Sequence, residues 1–506
     1  MLIEAADTVV LSRSEHAALL ADRAALVALQ TAFEKLQLQF QTLLRQRFGS
    51  TSESADQLML FGSSDVEVIE QTVVVADAPI APKRKPVAER QRLVLPADLP
   101  EQRIEIDVPE ADKVNADGQP LKRIGEEVTV KLGYTPASFF KKLIVRPKYV
   151  DPRNPDAGVE CAPLPAQLID GSLLDASFGA YLLQSKYGDH LPLFRIEEIC
   201  QRSRVPIARS TLSDWVLALS DWLKPLVLRM RAILLTQHVI HVDETVLPLQ
   251  SVGRTISARA WAYVGRDPRI VLYEFTVDKA GHHVRDFLQG WRGGYLQADA
   301  ASNYDALFRQ NQGILEVGCW AHARRKFFDI AVVADKAGQR VLAHEAVEQI
   351  GELFAIERAA SEADDSPERR CARRLRESKP LLDDFKVWCE KHLRDFLPKS
   401  PTAGAITYAL KNWAALTRYL DDGAIAIDNN AAERALREIA LGRKNWLFAG
   451  SEKGGEACAV CTSLIETAKA HGHNPQVYLA DILERLPTTK DRDIDSLLPM
   501  YWTASA

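Results

Sequence analysis

Cysteine is scarce in this chain. Seven thiols (Cys161, Cys200, Cys319, Cys371, Cys389, Cys458 and Cys461) are spread over 506 residues, an odd and sparse set that argues against a disulfide framework and leaves reduced thiols as the default. Long apolar runs are missing as well: none approaches the roughly 20 residues that a membrane span requires, although 47% of the residues are hydrophobic. The first residues, "MLIEAADTVVLSRSEH", have an early acid, no basic start and no small-residue cleavage site, so they do not read as a secretory leader. These absences predict a soluble, cytoplasmic protein with no membrane partner. A basic excess is also lacking. The formal charge of -5 carries no global signature of nucleic-acid binding.

Local charge is more informative. Between Thr51 and Pro82 there is no Lys or Arg but there are six acids, whereas "KRK" at 83–85, "HARRK" at 322–326, "RRCARRLR" at 369–376 and "RALREIALGRK" at 434–444 are basic blocks. Contacts with an anionic partner would fall on these blocks. At this length one core is not enough, and the pattern divides the chain. Residues 1–50 carry an a/d seam (Leu19, Leu26, Phe33 and Phe40 in one register; Leu29, Leu36 and Leu43 in the other), which predicts a short coiled coil and a homo-oligomer. A single amphipathic helix packed on its own domain is the alternative. Residues 51–97 read as a flexible linker, and 98–165, with "RIEIDV" and "FFKKLIVRPKYV" between turn residues, as a small β-rich module.

Residues 166–235 read as a helical region in which a helix, a break around Val205-Pro206-Ile207 and a second helix capped by Ser210 or Thr211 form a helix-turn-helix pattern. Arg202, Arg204 and Arg209 flank the turn where phosphates would lie, and Ser210 and Thr211 open the second helix. Such helix pairs are also common in proteins that never meet DNA. From 236 to 330 the order is three strands, helix, strand, helix, strand, helix, with Lys279 to Gly290 as the first helix, and it predicts a mixed sheet with helices on its faces. Residues 331–423 read as an α-helical insertion, 424–450 as the final helix of the same domain, and 451–506 as a C-terminal helical region.

Three acids stand where such a domain would bring them to one edge: Asp243 at the end of "HVIHVD", Asp299 at the end of "GYLQAD", and Glu433 in the first turn of the last helix. Hard carboxylate oxygens are the ligands that magnesium-type cations use, and two such ions activate the nucleophile and stabilise the leaving oxygen in phosphodiester chemistry. Each acid also has a purely structural reading. An Asp closing a strand serves as a turn or cap residue, and with Asn430 as N-cap, "NAAE" is a capping box with Glu433 at its third helical position. Glu244, next to Asp243, points to the opposite face if the strand continues.

Longer blocks of text carry a resemblance: "SKYGDHLPLFRIEEI", "RSTLSDWV", "HVDET", "LQADAASNYDAL", "GCWAHARRKFFD", "IDNNAAERALREIALGRKNWLFAGSEKGGE" and "SLIETAKAHGHNPQVYLADILERLP". In these the chain resembles the large transposases of the insertion-sequence 66 family. The resemblance implies a multidomain α/β protein with a ribonuclease-H-like catalytic domain interrupted by helices. It further implies Asp243, Asp299 and Glu433 as a DDE triad and as ligands of Mg2+ or Mn2+, with two ions in the catalytic arrangement. The implied partners are the terminal inverted repeats, target DNA and small accessory proteins of the same element, and the implied location is the cytoplasm, on the nucleoid when DNA is bound. Around the triad, His322, Arg325, Asn429, Arg434, Arg437, Arg443 and Lys444 are expected to contact DNA or orient ligands.

The sequence departs from the family at a cysteine-based zinc module. Its turns here read "VNADG" at 114–118 and "VDPRNPDAG" at 150–158, with only Cys161 nearby, so no zinc is expected. Cys458-Ala-Val-Cys461 is a lone CxxC among small residues of a predicted helix, with no second pair to complete a metal site. Two rivals to an active transposase remain at this stage: a catalytically inactive DNA-binding relic, and a metal-dependent nuclease that cuts without joining.

Overall fold

The computed structural model describes residues 138–146, 148–150, 159–161, 165–299, 304–310 and 313–504. The heptad seam, the linker, most of the β-rich module and its would-be zinc turns lie outside the described residues. Of the β-rich module, one short antiparallel pair is described, β1 (Lys148–Val150) with β2 (Val159–Cys161).

The centre of the molecule is a five-stranded sheet built from β3 (Val239–Val246), β6 (Arg259–Arg266), β7 (Arg269–Thr276), β8 (Gly294–Gln297) and β9 (Ile314–Val317). Between β3 and β6 lies a small hairpin that the sequence reading missed, β4 (Leu249–Ser251) and β5 (Arg254–Ile256). The sheet order is β7-β6-β3-β8-β9. Three antiparallel strands form a meander, and β8 and β9 then run parallel to β3. Strands that are apolar on both faces, such as "RAWAYVG" and "RIVLYEF", belong in the middle of a covered sheet. The expected helix over 279–290 is shorter, α4 (His282–Phe287).

Before the sheet come α1 (Ala176–Leu183), α2 (Leu193–Arg202) and α3 (Arg209–Leu234). The last is 26 residues long and buries Leu212, Val216, Leu219, Leu223, Leu226, Met230 and Leu234, so most of it is a core helix. Its start corrects the expected cap. It begins at Arg209, Ala208 is the N-cap without a side-chain bond, and Glu197 of α2 accepts from the Arg209 backbone and guanidinium. A carboxylate from the neighbouring helix thus does what Ser210 or Thr211 was expected to do.

After β8 come α5 (Asp305–Gln310), β9 and α6 (Trp320–Lys336). A helical segment follows: α7 (Leu342–Glu362), α8 (Pro367–Arg373), α9 (Lys379–His392), α10 (Pro401–Lys411) and α11 (Trp413–Thr417). It forms a second core with α6 and the parallel edge of the sheet, in which Trp320, Phe327, Phe385 and Tyr419 are buried. Arg374 is at its centre and wholly buried. Its guanidinium makes two bonds to Glu357 (2.6 and 2.7 Å) and donates to the carbonyls of Tyr419, Asp422 and Ile425. The basic block at 369–376 is therefore partly structural, since Arg373 is also engaged, by Asp365.

The chain then closes with α12 (Asn430–Trp446), α13 (Glu452–Ala470) and α14 (Pro475–Arg485). The free edge of β7 would expose unpaired backbone groups, a hazard that proteins cover. Here α13 covers it: Ser463 accepts from the Tyr273 amide, and Thr467 both accepts from and donates to Val271. Such close approach needs small side chains, and Cys458 and Cys461 are two of them, buried in α13 with burial raising both thiols. The CxxC is packing material. Among the described residues no helix is long and apolar enough to cross a membrane.

Candidate active site

Asp243 does not end its strand as expected, because β3 runs on to Val246 by pairing with β6. What stops is the other neighbour. The last parallel rung joins His241 to Gln297, so beyond it one flank of β3 is open where Asp243 stands. The residue is half-buried there. Burial pushes its carboxyl well above the ordinary carboxylate range, and the charges of Asp299, Glu244 and Glu433 push it further. Asp299 lies just past the end of β8, its carbonyl accepting from the Tyr408 hydroxyl of the insertion (3.0 Å).

Glu433 is carried by α12, but the capping box does not form. The N-cap is Asn429, one residue earlier than expected, and the Asp428 carboxylate takes both the backbone and side-chain N–H groups of Asn430. Glu433 is thus relieved of capping, and among the described residues its Oε1 has no hydrogen-bond partner. His322, in the first turn of α6, faces it at 3.5 Å without the alignment of a hydrogen bond. Burial lowers the His322 imidazole, with Glu433 and Asp299 opposing that effect. Cys319, His322 and Glu433 have donor atoms within 4.8 Å of one another. The Cys319 thiol is fully buried, raised by that burial, and accepts the Asn429 amide (3.2 Å).

Asn429 binds the parts together. Fully buried, it donates from Nδ2 to the Val242 carbonyl (2.8 Å) and receives His241 Nδ1 on Oδ1 (3.1 Å). Since an amide oxygen only accepts, His241 carries its proton on Nδ1, and burial lowers its pKa to about 4, so it is neutral at pH 7. Gln297 does the matching work on β8, donating to the Ala426 carbonyl (2.7 Å), while the Trp320 amide bonds Ile427. Segment 425–429 is thereby laced to β3, β8 and α6, the elements around the three acids. His241 and Gln297 were missed in the sequence. Their signal is a polar residue two before the acid on an otherwise apolar strand, which places it on the same face.

The other expected contacts divide by exposure. Arg202, Arg204, Ser210, Arg434 and Lys444 are exposed, whereas Thr211, Arg325 and Arg437 are half-buried. Arg209 is exposed but held by Glu197. Arg443 donates to the Val246 carbonyl at the end of β3, and Asn429 has no exposed surface, so these two position the site from inside. Glu244 lies on the other face, where Tyr304 donates to it (3.1 Å).

Asp243, Asp299 and Glu433 would bring the hard oxygen ligands a divalent cation takes, although among the described residues the donor atoms lying within 4.8 Å of one another are those of Cys319, His322 and Glu433.

The profile described as "Transposase IS66 family" matches residues 171–457, and those of the "IS66 C-terminal element" and the "Transposase C of IS166 homeodomain" match 463–500 and 35–104. Two Sinorhizobium fredii (strain NBRC 101917 / NGR234) proteins are similar along most of their length. "Uncharacterized protein y4jD" is 34% identical over 426 residues, 81% of this chain and 82% of its own. "Uncharacterized protein y4hP" is 31% identical over 495 residues, 92% and 88% respectively. With matches of this extent on a mixed sheet interrupted by helices, the chain belongs to the IS66 family of transposases.

Proposed function

We propose that this protein is a DDE transposase that cleaves the ends of an insertion sequence and joins them to target DNA, with Asp243, Asp299 and Glu433 as its catalytic carboxylates. The observation that carries this reading is that half-buried Asp243, whose carboxyl is raised by burial first, also feels the charges of Asp299, Glu244 and Glu433, of which Asp299 and Glu433 are distant in sequence. The sheet order, a three-stranded antiparallel meander followed by two parallel strands, supports a ribonuclease-H-like core. A helix-turn-helix role for α2 and α3 is supported by the exposed Arg202 and Arg204 at their turn.

In this reading the three carboxylates hold Mg2+ or Mn2+, which supplies Lewis acidity to the attacking oxygen and the leaving oxygen. The chain's own part is to fix the acids on rigid elements and to bring DNA to them. His241, Asn429 and Gln297 lock β3, β8 and the start of α12, and Arg434 and Lys444 stand exposed on α12 for phosphates. Water attacks the phosphodiester at the element end, and the 3′-oxygen leaves and is protonated. That 3′-hydroxyl then attacks a target phosphorus, loses its proton and displaces a second 3′-oxygen.

The test is cleavage and joining of labelled duplexes bearing the sequences that flank the gene, with Mg2+ or Mn2+, for the parent, Asp243→Asn and Glu433→Gln. Both variants should lose at least about a thousandfold in rate, the scale on which removal of one electrostatic catalytic group acts. Without metal, Asp243→Asn should melt above the parent, because it removes a half-buried, repelled carboxylate. Added metal should raise the parent's midpoint more than the variant's. Activity surviving in both variants would sink the assignment.

A further inference from the structure

Three of the sequence blocks quoted above meet at one place, at residues other than the catalytic acids. Lys186 and Tyr187 of "SKYGDHLPLFRIEEI", Ser213 of "RSTLSDWV", and Trp446, Phe448 and Ser451 near the end of "IDNNAAERALREIALGRKNWLFAGSEKGGE" line a cavity of about 320 Å³. That volume is in the range of small-ligand sites.

Its chemistry is unusual for an interior. Lys186 sits in the π-helical turn Gln184–Gly188, is half-buried, and among the described residues has no carboxylate partner or hydrogen bond, only the Tyr187 ring at 5.2 Å. Partial burial lowers its pKa. A cation held in a cleft without a counter-charge is suited to receive an anion. The aromatic wall is also costly to build. At the end of α12, Leu447 has φ 65 and ψ -49, and the Phe448 amide bonds the Trp446 carbonyl at 2.8 Å. This is a γ-turn with positive φ, a rare and strained conformation for a residue with a side chain. It brings Trp446 and Phe448, two residues apart, to the same cavity and leaves Leu447 63% exposed.

We propose that this cavity receives a single nucleotide extruded from the bound DNA, its base stacked on Trp446 and Phe448 and its phosphate held by Lys186. The inference rests on the transposase reading and extends it. A purely apolar ligand would leave the ammonium unpaired, a cation would be repelled, and a small anion would make no use of the aromatic rings. A nucleotide uses both parts, since aromatic side chains stack any base and a cation holds its backbone. Exposed Lys444 and Lys453 lie in the adjoining segments, with Glu452 as the neighbouring acid.

The position also fits. Leu247, immediately after β3, lines the cavity, about 13 Å along an extended strand from Asp243. Trp446 lies about 20 Å along α12 from Glu433. At 3.4 Å per base step, one duplex reaches from the carboxylates to the cavity in about four to six steps.

The experiment uses the full chain with the Asp243→Asn change, which keeps DNA uncut, and duplexes of the gene's flanking repeats carrying one 2-aminopurine at successive positions from the cleaved phosphate. The expected result is a fluorescence change confined to one position about four to six steps away. It should be lost in Lys186→Met and in Phe448→Ala. Lys186→Met should also weaken binding about tenfold and reduce the salt slope by about one, while melting no lower than its parent because the half-buried charge is gone. Tight binding of the duplex with no position-specific signal, or with a signal that both variants keep, overturns the cavity proposal alone. If no form binds the repeats, the transposase reading falls and this inference falls with it.

Discussion

Two charged centres in this molecule are built in opposite ways. In the helical insertion, Arg374 is wholly enclosed and its guanidinium has five hydrogen bonds, two to Glu357 and three to carbonyls. At the open flank of the sheet, Asp243 feels the like charges of Asp299, Glu244 and Glu433, and among the described residues Glu433 Oε1 and His322 Nδ1 have no hydrogen-bond partner. The first centre is complete as the protein stands. The second is complete only with something added, and stability is given up to keep it so. The two centres differ in pairing as well as in burial, Arg374 being wholly enclosed and Asp243, His322 and Glu433 half-buried.

Arg374→Met is the strongest attack on the comparison. It leaves buried Glu357 with only the longer Arg370 contact (3.8 Å) and three carbonyls without their Arg374 donors, so a loss of about 3 kcal/mol is expected, read as a fall in the denaturant midpoint. Replacing both partners, Arg374→Met with Glu357→Leu, should recover much of that loss, since it is a stranded charge that costs most. If the single change proved neutral, Arg374 would be no more a structural hub than the acids are.

The two centres were unequally legible in the sequence. The sheet domain could be read because its strands are apolar runs ending near acids, and the insertion because its periodicity is helical throughout. Arg374 could not. Within "RRCARRLR" nothing separates an arginine that will be buried from those that stay outside, because the choice depends on Glu357 and on the loop at 419–425. The cap of α12 was misplaced by one residue for a similar reason. Asn429 and Asn430 are alike locally, and it is contacts with Val242, His241 and Cys319 that draw Asn429 inward. Patterning put Asp243 at the end of its strand and Glu433 in a capping box, but β3 runs on to Val246 by pairing with β6 and the cap falls on Asn429, both through contacts far apart in sequence.

Glu274 offers an intermediate case that sharpens the contrast. It lies on β7, mostly buried, with one hydrogen bond, from the Tyr263 hydroxyl (2.9 Å), and burial raises its pKa from 4.5 to about 7. The folded state therefore holds this proton more tightly than the unfolded chain does. The contribution is fully present below pH 4.5 and is lost as pH rises through about 7. Glu274→Gln should flatten the fall in stability across that window by up to ~3 kcal/mol, the ceiling set by the size of the shift. Unfolding curves at pH 5 and pH 8 check it. An unchanged slope would mean that the carboxylate is solvated, and that partial satisfaction by one hydroxyl is enough to keep it charged.

The smallest effect belongs to the surface pair between α2 and α3. Arg209 is bound to Glu197 at 3.1 Å, but the arginine side chain is 63% exposed, and exposed ion pairs contribute only about 0–1 kcal/mol. Arg209→Ala should barely move the melting temperature. Its reading in DNA binding is sharper, because Glu197 also accepts the backbone amide that opens α3 and stands beside the guanidinium as a competing anion. If Arg209 reaches a phosphate, Glu197→Gln should tighten binding to the flanking repeats by releasing it, and Arg209→Ala should weaken binding and lower the salt slope by about one. If neither variant changes the salt dependence, this arginine belongs with Arg374, a charge that serves the fold, and the DNA contacts of the turn reduce to Arg202 and Arg204.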